Sequence, residues 1–116
     1  MLEEMICATL SSDLLERARS SVRSGGRILR ELPFVRPLPG AAIEEGKIDL
    51  LFEEGDGWVL VDYKTDWVSM KTGEDHFRGK YAGQIQEYVG ALRALSVKVV
   101  TAYLLLARTG ASIQMV

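Results

Sequence analysis

Three charged side chains interrupt two strongly apolar segments, and these are the residues of the chain that could do chemistry. Asp49 lies in one apolar segment, and Asp62 and Lys64 lie in the next. Charges in strands that otherwise appear buried are costly unless they are paired or used. Because side chains alternate along a strand, Asp62 and Lys64 point to one face while Tyr63 points to the other. The pattern therefore indicates a site on one face of a sheet.

The segment 46–65, GKIDLLFEEGDGWVLVDYKT, predicts a hairpin that brings these charges together. Its two apolar arms are joined by residues 53–57, where glycine tolerates a positive φ and aspartate can cap its own backbone. With the turn centred near Gly55, Asp49 and Asp62 lie close across the strand pair, provided that a bulge is allowed.

Two neighbouring carboxylates predict a cation site. Close carboxylates repel each other and burial raises their pKa, and a divalent cation removes both penalties. Oxygen ligands with open water positions suit Mg²⁺, with Mn²⁺ as the substitute. Such a metal polarises a phosphate oxygen and generates hydroxide from bound water. Lys64 could orient the attacking water and stabilise developing negative charge, as a metal-dependent phosphodiesterase requires.

The same charges also allow a structural interpretation. Asp49 with Lys64, or Asp62 with Lys64, could form an ion pair without a catalytic role, which is the commoner role of an isolated pair. An Asp-X-Lys on one face of an apolar strand is costly to bury without a purpose, and this favours function. Spacing alone leaves both interpretations open.

Gln84 and Tyr88 lie four residues apart in a segment with helical spacing, so they share a helix face. That face could cover the metal site, with Gln84 donating to a phosphate or a carboxylate and Tyr88 stacking or hydrogen-bonding. In the alternative, Tyr88 belongs to the core and Gln84 is solvated. Without the strand motif, the alternative is favoured.

Length and composition are those of one ordinary globular domain. The chain has 116 residues, of which 47% are hydrophobic and 26% charged. No apolar run approaches the roughly 20 residues of a membrane span, and the first residues lack the pattern of a signal peptide. One cysteine excludes an internal disulfide or a cysteine metal cluster, so we expect a cytoplasmic protein. The net charge of −2 lacks the basic footprint of a freestanding DNA binder, although an acidic site also lowers it.

Periodicity and turn residues predict the elements that position these groups. Residues 66–79 are polar and contain glycine, which predicts a loop. The apolar spacing predicts helices over 12–24 and 80–95, and strands over 27–35, 41–52, 58–65, 97–106 and 111–116. The segment 58–65 is apolar on both faces and is expected in the centre of a sheet. The order α-β-β-β-α-β-β predicts a single α/β domain over residues 1–116.

Three motifs in this order carry a family resemblance: GKIDL at 46–50, VDYKT at 61–65 and QIQEY at 84–88. Together with ELPF at 31–34, they resemble the RecB-type nuclease domain of the PD-(D/E)XK superfamily, the C-terminal nuclease module of UvrD/AddA-like helicase–nucleases. The resemblance covers roughly residues 11 to 106. Any one motif alone would be unspecific, whereas the ordered set is specific.

The resemblance implies a restriction-endonuclease-like fold, with a central mixed β-sheet flanked by helices. It also implies Mg²⁺-dependent cleavage of DNA as an exonuclease or endonuclease in recombination and repair. The implied partners are DNA, helicase motor domains of the same polypeptide and a second nuclease subunit. The residues at matching positions would share one site, with Asp49, Asp62 and the Tyr63 backbone carbonyl as metal ligands, Lys64 as the catalytic lysine, and Gln84 and Tyr88 lining it from a helix.

The sequence departs from the family pattern in one respect. The family commonly has an acidic residue or a histidine on a helix before the first strand, and Glu16 stands there in a context that does not match. No histidine precedes the first motif, and no Walker-type GxxxxGK[ST] is present. We therefore expect a C-terminal fragment of a larger helicase–nuclease. The alternative function is a catalytically incomplete nuclease-like module that grips DNA or docks a subunit.

Overall fold

Two helices and five strands form the described part of the chain. A computed structural model describes residues 12–65 and 73–116. The helices are α1 (Asp13–Arg23) and α2 (Gly73–Ala94), and the strands are β1 (Ile28–Pro37), β2 (Ile43–Glu54), β3 (Gly57–Lys64), β4 (Val99–Leu106) and β5 (Ser112–Gln114). Neither of these helices is both long and apolar enough to cross a membrane.

The five strands form one mixed sheet in the order β1-β2-β3-β4-β5. β2 is antiparallel to both β1 and β3, β3 and β4 are parallel, and β5 is antiparallel to β4. A parallel pair needs a crossover connection, and α2 lies in it. β3 is central as predicted, and its residues Val59, Leu60 and Val61 are fully buried. The predicted α/β class with a mixed sheet flanked by helices is confirmed.

The sheet separates two apolar cores. The α2-side core holds the inward residues of α2, among them Phe77, Ile85 and Leu92, against Ile48 and Leu60 of the sheet. The α1-side core packs two residues of α1 against the opposite face, with the members Leu14, Ala18, Leu50, Phe52, Val59, Val61 and Leu105. Each face of β3 is therefore covered by a different helix.

Helix α1 begins and ends within one residue of the predicted span 12–24. Ser12 is its N-cap and accepts a hydrogen bond from the Leu15 amide at 3.3 Å. This satisfies one of the amides that a helix start leaves without a partner. Gly25 follows with a φ of 91°, a left-handed conformation that glycine adopts without strain and that ends the helix.

The alternation of side chains along β2 is interrupted at Asp49, so that residues two apart on either side of it point to opposite faces of the sheet. Leu50 lies in the α1-side core and Ile48 in the α2-side core, although a regular strand would place residues two apart on one face. The register with β1 is unchanged across this point, and the residue opposite Asp49 is Glu31, whose φ is 50°. A left-handed residue inside a strand is uncommon outside glycine. This irregularity of β1 and β2 lies at Asp49, the candidate metal ligand.

The hairpin between β2 and β3 turns at Gly55 and Asp56, close to the predicted centre. Glu54 pairs with Gly57 at the start of the ladder, and Gly55 has a φ of 65°. A glycine with positive φ in a two-residue connection matches the twist of the flanking strands. At its other end the ladder stops at the pair Leu50 and Val61, so Asp49, the residue before Leu50, is not paired with β3.

The predicted loop over 66–79 is wrong in its second half. Residues 73–79 belong to α2, which begins at Gly73 rather than near residue 80, and residues 66–72 lie outside the described part of the chain. Phe77 is buried in the α2-side core, and Glu74 and Asp75 lie in the first turn, where acidic groups favour a helix N-terminus. The polar composition reflects the solvent face of a helix. The strand predicted from residue 41 begins at Ile43, because Pro39–Ala41 forms a 3-10 turn.

Candidate active site

The end of β3 presents Asp62 and Lys64 to the α2 side of the sheet. Their alternation with the buried Val61 places both on the face that carries Leu60. Asp62 is 5% exposed, and the Lys64 Nζ lies 2.9 Å from the Asp62 Oδ2. The structure therefore brings these two charges into contact inside the molecule, where the sequence indicated a shared face.

Asp49 completes a pair of carboxylates at the point where β2 leaves β3. The Tyr63 amide donates to the Asp49 Oδ2 at 2.8 Å. The side chain thus replaces the backbone acceptor that the departing strand no longer offers, and it is held in place by this bond. The Asp49 carboxyl group is close enough to Asp62 to contribute to the raised pKa of the Asp62 carboxyl. The β2–β3 pairing does not extend to these two carboxylates.

The Asp62 carboxylate lies in an unfavourable environment for a negative charge. Burial and then the neighbouring Asp49 carboxyl raise its pKa to about 6, although Lys64 opposes the shift. Its Oδ2 is buried and accepts no well-aligned hydrogen bond from the described residues. The Lys64 Nζ lies close enough to form an ion pair with this oxygen, but not at the angle of a hydrogen bond. A buried carboxylate oxygen without a well-aligned hydrogen bond is unusual, and beside a second carboxyl group it can accept a further contact from a cation.

The donor set suits a hard divalent cation. Asp49 and Asp62 offer carboxylate oxygens, and Mg²⁺ is commonly held by one or two carboxylates while it keeps several waters. The Tyr63 carbonyl lies between them on β3 and is the further predicted ligand. Within residues 12–65 and 73–116, no group of three or more histidine, cysteine, aspartate or glutamate side chains could hold a metal. The site fits Mg²⁺ through its oxygen chemistry, and its ligand roles stay predictions.

Helix α2 holds Lys64 from the other side. The Lys64 Nζ donates to the Gln84 Oε1 at 2.9 Å, and the Gln84 Nε2 donates to the Tyr88 hydroxyl at 3.3 Å. Tyr88 is 7% exposed and packs edge-to-face on Phe34, with ring centroids 5.5 Å apart. Tyr88 is therefore a core residue and also part of this hydrogen-bonded chain. Gln84 is exposed, yet it is engaged by the lysine rather than by solvent alone.

Comparison with known proteins gives relatives over most of the chain, whereas no protein-family model matches it. An ATP-dependent helicase/nuclease subunit of Clostridium perfringens (strain 13 / Type A) is 42% identical over 110 residues, which cover 80% of this chain and 8% of that protein. This chain is similar to a small part of a helicase/nuclease. The helicase/nuclease subunits of the same name from Heliobacterium modesticaldum and Pelotomaculum thermopropionicum are each 37% identical, covering 84% and 78% of this chain and 8% of each relative.

Tyr81 belongs to this site and was not among the residues predicted for it. The Lys64 Nζ lies 4.1 Å from the centroid of the Tyr81 ring. Tyr81 stands three residues before Gln84 on α2, so helical spacing places the two on one face. That spacing was the available signal, but the apolar pattern of α2 also accounts for an aromatic residue there.

Glu16 does not reach the candidate site. It lies on α1, whose buried residues pack in the α1-side core, on the opposite face of the sheet from Asp62. Its carboxylate is exposed and pairs with Arg19 at 3.1 Å and with Arg23 at 2.8 Å. The acidic residue that the helicase/nuclease resemblance leads one to expect on an upstream helix is therefore not supplied by α1.

Proposed function

We propose that this chain is the nuclease domain of a helicase–nuclease of DNA recombination or repair, and that it hydrolyses phosphodiester bonds of DNA with Mg²⁺. One observation carries the proposal. The Asp62 Oδ2 is buried without a well-aligned hydrogen bond, beside a second carboxylate and the ammonium of Lys64. The names of the relatives, which are ATP-dependent helicase/nuclease subunits, support the same interpretation.

Asp49, Asp62 and the Tyr63 carbonyl would hold the cation. When bound, Mg²⁺ supplies a Lewis acid for a phosphate oxygen and lowers the pKa of its bound water. The Tyr63 amide keeps Asp49 in place through its 2.8 Å hydrogen bond, and the buried strand β3 fixes Asp62. Two oxygens on rigid strands are pre-organised for a metal, which favours binding without further ordering of the chain.

Lys64 would act on the attacking water and on the developing negative charge. An ammonium has three N–H donors, and here one donates to Gln84 while the group also contacts Asp62. A remaining donor can orient a water or a phosphate oxygen. A fixed positive charge in a largely buried site stabilises a transition state that gains negative charge.

Gln84 and Tyr88 would set the direction of the lysine. The Gln84 Oε1 accepts from Lys64 while its Nε2 donates to the Tyr88 hydroxyl, so both ends of the amide are engaged. Because Tyr88 is packed in the core, this chain of bonds connects the lysine to a rigid part of the molecule. The two residues then position the catalytic group from α2.

The relatives support a setting for this domain within a larger machine. This chain spans about 8% of the length of the first relatives named above. We propose that helicase motor domains lie on the same polypeptide, that a second nuclease subunit completes the assembly, and that DNA is the shared substrate. The domain would then cut a strand that a motor delivers to it.

A second candidate is a nuclease-like module that grips DNA or docks a subunit without cutting. The observation that favours it is the lack of a third carboxylate, histidine or cysteine at the site within the described residues. Calorimetry with Mn²⁺ separates the two candidates. The incomplete module binds no metal at the Asp49 and Asp62 pair, whereas the nuclease does.

DNA cleavage tests the proposal directly. In the full-length polypeptide that carries this chain, Lys64→Ala should lower Mg²⁺-dependent cleavage of single- and double-stranded DNA by roughly 100- to 1000-fold. Lys98→Ala is the matched control, because Lys98 forms an exposed pair with Asp56 at 3.0 Å, at the hairpin end of β3. It should cleave like the wild type. Equal cleavage by the Lys64→Ala variant and the wild type would overturn the assignment.

A further inference from the structure

The Lys64 ammonium lies over an aromatic ring as well as beside oxygens. We propose that Tyr81 is a positioning residue for Lys64. The face of its ring holds the ammonium in the site, so that the lysine does not depend only on Asp62, which is also a proposed metal ligand. The inference rests on the proposed function, since it assigns a role to Tyr81 in the same reaction. The carrying observation is the 4.1 Å distance between the Lys64 Nζ and the Tyr81 ring centroid.

The distance and the burial both favour a real attraction. A cation within about 6 Å of a ring centroid is drawn to the negative face of the ring, and the effect grows when water is excluded. The Lys64 side chain is only 14% exposed. The side chain is therefore largely shielded from water, which favours the contact with the ring.

The ring contact matters because Lys64 and a bound cation would both interact with the same oxygen of Asp62. The Lys64 Nζ lies 2.9 Å from the Asp62 Oδ2, the oxygen that the cation would also need. A lysine held only by that carboxylate would compete with the cation or move away when it binds. The face of the Tyr81 ring attracts the ammonium without occupying an oxygen of Asp62. Lys64 can then stay beside Asp62 while the carboxylate coordinates.

The ring is itself well placed on α2. It packs partly buried against the α2-side core, and its centroid lies 6.2 Å from that of Phe77. The Lys80 ammonium also lies over the ring, at 5.1 Å. Lys64 has a long flexible stem whose position is set by its contacts. Of the two lysines, Lys64 is the closer to the ring.

A comparison of Tyr81→Phe with Tyr81→Leu in the full-length polypeptide tests the role of the ring. Tyr81→Leu removes the ring face, and we expect kcat for DNA cleavage to fall roughly 5- to 30-fold with KM for DNA unchanged. Tyr81→Phe keeps the ring and should retain the wild-type kcat. A side chain that only packs the core would lower stability and not separate kcat from KM in this way.

Tyr103→Leu is the matched control on the other face of the sheet. The Arg17 guanidinium lies over the Tyr103 ring at 5.3 Å, so the same substitution removes a similar contact far from Lys64. This variant should unfold at a lower temperature and cleave DNA with the wild-type kcat. Tyr81→Met, which also lacks a ring, serves as a second variant if Tyr81→Leu does not fold.

Nuclear magnetic resonance gives a readout that does not depend on cleavage. The ring should shift the Lys64 ε-methylene protons upfield in the wild type and in Tyr81→Phe, and the shift should disappear in Tyr81→Leu. A wild-type kcat in Tyr81→Leu, or equal loss in Tyr81→Phe, would overturn the inference while an inactive Lys64→Ala variant leaves the proposed function intact. Normal cleavage by Lys64→Ala would instead overturn the proposed function, and the upfield shift would still report the contact.

Discussion

Two clusters in this molecule contain the same three kinds of group, one on each face of the sheet. On the α1 side, the Arg17 guanidinium lies over the Tyr103 ring and pairs with Glu54. On the α2 side, the Lys64 ammonium lies over a tyrosine ring and pairs with Asp62. Each cluster joins a helix to the sheet. They differ in how completely their polar atoms are satisfied.

The α1-side cluster is a satisfied and half-exposed pair. Both Glu54 oxygens accept from Arg17, at 2.9 Å and 2.5 Å, and Arg17 also donates to the Tyr103 hydroxyl at 3.2 Å. The Arg17 hydrogen bonds lower the pKa of Glu54. The two charged side chains are 36% and 41% exposed. This is the arrangement of a structural ion pair that fastens α1 to the hairpin.

The α2-side cluster is buried and incompletely satisfied. Burial raises the pKa of Asp62 to about 6, and its Oδ2 lacks a well-aligned hydrogen bond among the described residues. An ion pair alone therefore does not mark a functional site in this molecule. The burial of Asp62 beside a second carboxyl group, without a well-aligned hydrogen bond to its Oδ2, distinguishes the α2-side cluster.

The largest contrast between the two sides should appear when a carboxylate is made neutral. Asp49 and Glu53 each accept a backbone N–H at 2.8 Å, from Tyr63 and Arg27 respectively. Asp49→Asn keeps that acceptor and removes a ligand charge, so cleavage should fall roughly 100-fold or more with little change in stability. Glu53→Gln is the matched control and should cleave normally. Loss of cleavage in both variants would remove the distinction.

The next contrast is one of sign in stability. In the metal-free chain, the raised pKa of Asp62 means that ionisation costs stability as pH rises from about 4 to 6, and the cost then stays constant. Asp62→Asn avoids that cost and should raise the free energy of unfolding at pH 8 on the order of 1 to 2 kcal/mol. At pH 4 the two proteins should be nearly equal.

Glu54→Gln should change stability in the opposite direction. The lowered pKa of Glu54 contributes stability above its ordinary range, and this contribution is lost as pH falls through the folded pKa. Because the pair is half exposed, the loss at pH 8 should be at most about 1 kcal/mol. Chemical denaturation of both variants across pH measures this contrast. Destabilisation by both at pH 8 would contradict the difference in environment.

The smallest effects should come from two glycines. A Cβ at Gly46 would lie 3.2 Å from the Tyr88 hydroxyl, and one at Gly26 would clash with Ser21, whose carbonyl oxygen would be 3.0 Å away. Gly46→Ala should shift Tyr88 at a cost of about 1 kcal/mol, or about fivefold in cleavage rate. Gly26→Ala should lower the melting temperature without changing cleavage. If Gly26→Ala lowered cleavage and Gly46→Ala did not, the residues on which cleavage depends would lie on the α1 side of the sheet.

Much of this arrangement follows from strand and helix periodicity in the sequence. The alternation of β3 predicted that Asp62 and Lys64 share a face, and the turn near Gly55 predicted that β3 folds back beside β2, which carries Asp49. Ser12 and Gly25 give α1 its ends. These features depend on local chemistry, so a single sequence is sufficient to predict them.

Other features depend on contacts that periodicity does not contain. The face change at Asp49 coincides with a left-handed Glu31 on the neighbouring strand, which no local rule predicts. The long Lys64 side chain reaches the Tyr81 ring through rotamer choices that the packing of α2 decides. The start of α2 was predicted as a loop because Phe77 is the lone apolar side chain within residues 73–79. Tertiary packing overrode composition there.

Metal binding at the paired carboxylates tests the central claim most directly. Titration calorimetry with Mn²⁺ on the full-length polypeptide, without nucleotide, should give one binding event in the wild type that Asp62→Asn lacks. Glu54→Gln should retain that event, because its carboxylate is already satisfied by Arg17. Identical isotherms for the wild type and Asp62→Asn would contradict the account, since the buried oxygen would then hold no cation.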